Sequence, residues 1–265
     1  MKRSLIISLV GGLLLMTGML ALSPHGGAAF FSIPGLIVVI GGTLAATLVS
    51  RPVDEVGKLW RSIPQLFRPE ETTIDRDFAQ LLQFAQRYRF STPRAAESAL
   101  AEISDGFVAA GLRQVVDGCS LEDLTKSLQW RIAGVRSQET GQTQILYTMA
   151  AFAPAFGMLG TLFGLVHMLS GIGDAGLNQI GSSMAFAMVT TVYGIIASNL
   201  VFKPLAMKME RRTGQRLMRL TSLMEGVLQI HQKRHPTLIK EALESYSAHY
   251  QAPVGAQPPL TLVKA

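Results

Sequence analysis

The chain has 265 residues, 48% of them hydrophobic and only 16% charged, whereas soluble globular domains carry about 25% charge. That balance excludes an ordinary water-soluble domain and points to a membrane protein. A lone cysteine, Cys119, excludes an internal disulfide, and the formal net charge of +6 lies beside apolar runs without interleaved aromatics, which argues against nucleic-acid binding.

From Ser4 to Ser50 the chain contains no Asp, Glu, Lys or Arg, and Ser23-Pro24-His25-Gly26-Gly27 breaks the run. One helix is therefore predicted at about 4–22 and a second at about 31–50, each near the roughly 20 apolar residues that span a bilayer. Lys2-Arg3 before an apolar run could mark a signal peptide. The uncharged core is long for one, however, and a second apolar segment follows at once, so a retained helix is expected.

Residues 51–140 then read as a charged, helical domain. Apolar residues recur at helical spacing, as in Phe78-Leu81-Leu82-Phe84-Ala85. Thr92-Pro93 and Ser120 before Leu121-Glu122-Asp123 read as helix starts, with a capping hydroxyl followed by proline or by acids in the first turn. Val56-Leu59-Trp60-Ile63, flanked by Lys58 and Arg61, fits either a short interfacial helix or a surface helix of this domain.

A third uncharged run lies between Glu139 and Asp174 and a fourth between Asp174 and Lys203. Lys2, Arg3, Arg51, Lys203, Lys208, Arg211 and Arg212 flank one set of span ends. The opposite connections, Ser23–Phe30 and Gly171–Ser182, contain no Lys or Arg. By the positive-inside rule both termini and the 51–140 segment are cytoplasmic. Lys208 to Lys240 is strongly basic, as suits a segment beside anionic lipid, and Gln251 to Ala265 has the composition of a disordered tail. The expected fold is thus an all-α integral membrane protein with four transmembrane helices and a helical cytoplasmic domain between helices 2 and 3. Its segments are 1–50, 51–140, 141–206 and a tail at 207–265.

Gly171-Ile172-Gly173-Asp174-Ala175-Gly176 matches a dinucleotide-binding pattern, but it follows a span rather than a strand and opens no βαβ unit. No Walker motif, nucleophile elbow or metal-ligand cluster is present, so neither an enzyme nor a metal site is expected. Small residues recur on the third span at Ala150, Ala153, Gly157, Gly160 and Gly164, and on the fourth at Ser183, Ala187, Thr190 or Thr191, Gly194 and Ser198. Such stripes let membrane helices approach closely. Thr161, Thr190, Thr191, Ser198 and Asn199 lie within or beside them, and each hydroxyl fits packing or pore lining equally. Pro154 and Pro204 stand near the cytoplasmic ends of the two spans, as a hinge pair or as simple helix-end features. No span holds Asp, Glu, Lys or Arg, and His167 is the one titratable candidate. A proton or sodium relay normally needs an intramembrane ionisable group, so a conducting chain of this kind requires a carboxylate from a partner.

These residues resemble the MotA/PomA stator subunits of the MotA/TolQ/ExbB proton channel family, over roughly residues 1–235. Phe31-Ser32-Ile33-Pro34-Gly35 through Thr43 looks like the family's second helix. Ala153-Pro154-Ala155-Phe156-Gly157-Met158-Leu159-Gly160-Thr161-Leu162 looks like its third, and Thr190-Thr191-Val192-Tyr193-Gly194 through Phe202-Lys203-Pro204-Leu205 like its fourth. Leu112-Arg113-Gln114-Val115-Val116-Asp117-Gly118 resembles a segment of its cytoplasmic domain.

The resemblance implies an inner-membrane homopentamer around a dimer of a MotB/PomB-type partner that carries the ion-binding Asp and a peptidoglycan anchor. Pro154 and Pro204 match the family's hinge prolines. Thr161 and Thr191, with Thr190 beside them, match hydroxyls facing the partner's carboxylate. Arg113 matches a basic residue that meets the rotor's switch protein, while Leu121 stands where an acid is expected, with Glu122 next to it. No cofactor is implied; the translocated ion is sodium or a proton. Thr161 resembles sodium-type members, although TolQ-like proton channels carry threonines too. The implied function is ion-driven torque on the flagellar rotor. The alternatives are a TolQ/ExbB-type energiser of the outer membrane, whose members look like three-span proteins, and a non-conducting scaffold.

Overall fold

The computed structural model describes residues 31–67, 73–90, 98–171, 177–241 and 243. The predicted first span, the Thr92-Pro93 helix start, most of the 171–176 glycine motif and the tail beyond 243 lie outside them. All the regular elements among the described residues are helical. We label them α1 (Ile33–Ser50), α2 (Val53–Ser62), α3 (Thr73–Phe90), α4 (Gly106–Val116), α5 (Leu121–Ser170), α6 (Leu177–Ile196) and α7 (Lys203–His231). Among the described residues, three helical stretches are long and apolar enough to cross a membrane: Ile33–Ser50, Leu121–Ser170 and Gln179–His231.

The chain forms two compact units, each built from two stretches of sequence. The first combines the described residues up to Phe67 with Gly141–Glu210. Its core joins Val56 and Leu59 of α2 and Leu66 to Ile145, Met149, Ala153, Phe202 and Ala206. The amphipathic α2 therefore belongs with the spans rather than with the charged domain. Its buried face is Val56 and Leu59, while Trp60 remains 50% exposed beside Lys58 and Arg61. An indole next to two cations at the edge of an apolar bundle suits the headgroup level of a bilayer.

Among the described residues, two wide turns interrupt the regular helices of this unit. One covers Ile37–Gly41; the other, Ala197–Phe202, joins α6 to α7 and is closed by the Lys203 amide bonding the Ser198 carbonyl five residues back. Pro204 follows directly. A proline has no N–H for the carbonyl four residues earlier and its ring crowds that carbonyl, and a π-type turn relieves both demands.

The second unit combines Arg68–Thr140 with the chain from Arg211 onward. Phe78, Leu81 and Phe84 of α3, Val108, Leu112 and Val115 of α4, Leu124 and Leu128 of α5, and Leu223, Val227 and Ile230 of α7 form its core. Asp105 caps α4 by accepting from the amides of Phe107 and Val108 at 2.8 and 3.2 Å. Ser120 caps α5 as expected, accepting from the Asp123 amide at 3.1 Å. Between these helices the chain reverses at Gly118, whose φ is +74°. An L side chain there costs roughly 1–2 kcal/mol. Gly118→Ala is expected to lower stability by that amount, read as a drop in thermal midpoint, although a Cβ would meet nothing within 4 Å.

Candidate functional site

The two stripes of small residues face one another. A Cβ added at Gly164 would lie 2.7 Å from Ala187 Cβ, and one at Gly160 would lie 2.6–2.8 Å from the Thr190 side chain. At Gly157 it would meet the Thr190 carbonyl at 3.0 Å, and at Gly194 the Ala153 carbonyl at 2.7 Å. From Gly164 down to Gly194, then, α5 and α6 touch nearly backbone to backbone, which is the geometry that small residues exist to allow. α1 joins the same seam. A Cβ at Gly35 would stand 3.1 Å from Thr190 Cγ2, the Phe156 ring covers Gly42, and the Ser32 amide donates to the Tyr193 hydroxyl at 2.9 Å.

This packing separates the three threonines. Thr190 is fully buried where α1, α5 and α6 meet, and its hydroxyl donates to the Ala187 carbonyl at 2.8 Å. Its methyl and oxygen are consumed by the seam. Thr161 and Thr191 are only partly buried. Thr161 donates to the Met158 carbonyl at 2.6 Å. A hydroxyl whose proton is held by its own helix presents lone pairs outward. Such an oxygen can ligate a sodium ion or accept a hydrogen bond from a protonated carboxyl.

Pro154 lies within α5 directly across from Gly194, and a Cβ there would stand 3.2 Å from Pro154 Cα. Pro204 is exposed in the first turn of α7. Ser198, which the sequence left between packing and pore lining, has a specific partner: it is 1% exposed and donates to the Ala150 carbonyl at 2.6 Å. Thr43 and Thr47 on α1 are also fully buried, bonding the Val39 and Thr43 carbonyls at 2.6 and 2.7 Å. Their hydroxyls satisfy themselves locally and could have been read as ordinary packing groups.

In the second unit Arg113 on α4 and Glu122 on α5 stand exposed on either side of the Gly118 turn. Glu122 pairs with Lys126 one turn along its own helix at 2.6 Å, a contact of the kind worth a few tenths of a kcal/mol. Both heads can be recruited by a partner at little cost. Leu121 is 37% exposed at the same end of α5. His167 is exposed on the last turns of α5.

Set beside known proteins, the chain matches the MotA/TolQ/ExbB proton channel family over residues 99–222. It is 30% identical over 227 residues to motility protein A of Borreliella burgdorferi, covering 86% of each chain. Chemotaxis protein PomA of Vibrio alginolyticus is 29% identical over 246 residues, covering 93% of this chain and 95% of that one. A chain from the structure of the flagellar MotAB stator complex of Bacillus subtilis shares the fold with a TM-score of 0.78 at 24% identity, covering 93% of this chain and 96% of that one.

Proposed function

The chain belongs to the MotA/TolQ/ExbB proton channel family, and from that premise we propose that it is the channel subunit of a flagellar motor stator. With a MotB/PomB-type partner it couples inward flow of protons or sodium to torque on the rotor. The observation that carries this reading is the close seam of α5 and α6 at Pro154, with two partly buried threonines on spans that hold no carboxylate. A seam built this way is half of an ion path and needs an acid from outside the chain. The named relatives are motility proteins, so the outer-membrane energiser is the weaker alternative.

In this reading the chain crosses the inner membrane four times with both termini in the cytoplasm, and five copies surround two partner chains. The partner's intramembrane Asp exchanges its ion against the outward lone pairs of Thr161 and the partly buried hydroxyl of Thr191. Thr190 holds the helices in register. Pro154 and Pro204 let the lower ends of the spans bend as the carboxylate charges and discharges, and Arg113 and Glu122 present the charges that the rotor's switch protein meets.

Swimming speed of cells relying on this chain and its partner tests the reading, with sodium varied at fixed proton-motive force. Speed that rises with sodium and fails without it makes the stator sodium-driven; speed indifferent to sodium but abolished by a protonophore makes it proton-driven. Absence of rotation in both conditions sinks the proposal. Pro154→Leu is expected to leave flagella assembled and stator chains in the membrane while rotation stops.

A further inference from the structure

Pro154 has no amide hydrogen, so the carbonyl four residues earlier, that of Ala150, loses its partner within α5. Ala150 is 3% exposed. In an apolar surrounding an unpaired carbonyl is costly, and a neighbouring helix can supply the missing donor. The Ser198 hydroxyl does so at 2.6 Å, from within the wide turn at Ala197–Phe202. Ser198 does not spend its hydroxyl on its own helix, unlike Thr43, Thr47, Thr161, Thr190 and Ser183, all of which bond a carbonyl three or four residues back. Gly194, one turn before Ser198, meets Ala153 and Pro154 with no side chain between. The proline of one helix and the widened turn on the other are thus tied by a single hydroxyl.

We infer that Ser198 is the positioning residue for α5 at Pro154: its hydroxyl replaces the proline's missing amide at the Ala150 carbonyl and sets how α5 and the Ala197–Phe202 turn move together. The wide turn has a function in this arrangement, because it aims residue 198 across the seam instead of back along α6. The consequence for rotation rests on the hinge reading of Pro154 given above; the hydrogen bond itself does not.

A double-mutant cycle on the full-length chain in detergent micelles, unfolded by SDS titration, separates this role from plain packing. Side-chain hydrogen bonds between membrane helices shift a folding equilibrium by roughly threefold on average and about twentyfold at most. Ser198→Ala is expected to weaken folding within that range in the native background. In a Pro154→Ala background residue 154 regains an amide for Ala150, and the same substitution is expected to have less than about half that effect on the logarithmic scale. An equal loss in both backgrounds overturns the proposal and makes Ser198 a packing residue. In cells, Ser198→Ala at unchanged membrane level is expected to slow rotation severalfold, and wild-type speed would overturn its positioning role. If the unsubstituted chain and its partner drive no rotation, the stator reading fails and the unfolding cycle alone decides on the hydrogen bond.

Discussion

Gly194→Val is expected to abolish accumulation of the folded chain in the membrane, and Gly194→Ala to lower its stability by about 3 kcal/mol, at the upper end of ordinary overpacking. The atoms a new Cβ would meet are the Ala153 carbonyl at 2.7 Å, Gly157 Cα at 3.1 Å and Pro154 Cα at 3.2 Å. All three are backbone, so no side chain can swing aside, and the helices must separate. Separation also pulls Ser198 from the Ala150 carbonyl and Gly160 from Thr190, so the loss spreads along the seam. Gly134 and Gly214 provide the control, since each sits in a helix where a Cβ would meet nothing within 4 Å. There an alanine is expected to be neutral or to stabilise by roughly 0.5–1 kcal/mol. Membrane levels and thermal midpoints of the three alanine variants, compared side by side, decide the matter. A Gly194→Ala protein as stable as the Gly134→Ala one would show that the close approach does not hold the spans together.

The seam was legible in the sequence because its logic is local. Small residues stepping by three or four along two apolar runs can serve one purpose, and spacing alone lists them. What each hydroxyl does was not legible. Thr190 and Thr191 are neighbours in sequence, yet one is sealed against Gly160 and Gly35 while the other is only partly buried. A helix turns by about 100° per residue, so their fates depend on where a third helix lies. Ser198 was singled out in the stripe, but its partner, the Ala150 carbonyl, was not legible for the same reason, since it is set by the crossing of two helices. The stretch after α6 shows a different blindness. Leu220, Leu223, Val227 and Ile230 recur at helical spacing and are buried, but Arg211, Arg212, Arg216 and Arg219 precede them and Lys233 and Arg234 follow, and the charge suggested a membrane flank instead of a core helix. Helix caps were readable at Ser120, where hydroxyl and acid lie three residues apart. The pairing of α3 with α7 could not be read, because it joins residues far apart in the chain with no shared local pattern.

That pairing carries the other large effect. Arg219→Met is expected to cost the second unit about 3–5 kcal/mol, the range for removing one partner of a buried ion pair. Arg219 bonds Asp77, which is 2% exposed, and Asp105 at 2.7 Å. It thereby ties α7 to α3 and to the cap of α4, since Asp105 also receives the first amides of that helix. With the guanidinium gone, the buried Asp77 carboxylate is left beside that of Asp105 with no cation between them. The arginine is not ideally matched either, for its Nε lies buried without a partner among the described residues. Asp77 reports the tension. Burial outweighs the attraction of Arg219 and raises its pKa above the ordinary aspartate value. The folded state therefore holds the Asp77 proton more tightly than the unfolded chain does, and this stabilising contribution is complete below the unfolded pKa. It is lost as pH rises through the folded pKa. Asp77→Asn keeps the shape but cannot titrate, so its stability gap to the native chain is expected to narrow as pH rises through that window. Amide hydrogen exchange of α3 and α4 at a series of pH values measures both variants within the unit. Native-like protection in Arg219→Met would mean that the apolar core of Leu81, Leu112, Leu124 and Leu223 holds these helices unaided. Strong loss of protection confined to α3, the start of α4 and the adjoining part of α7 would instead identify the charge cluster as the lock on that core.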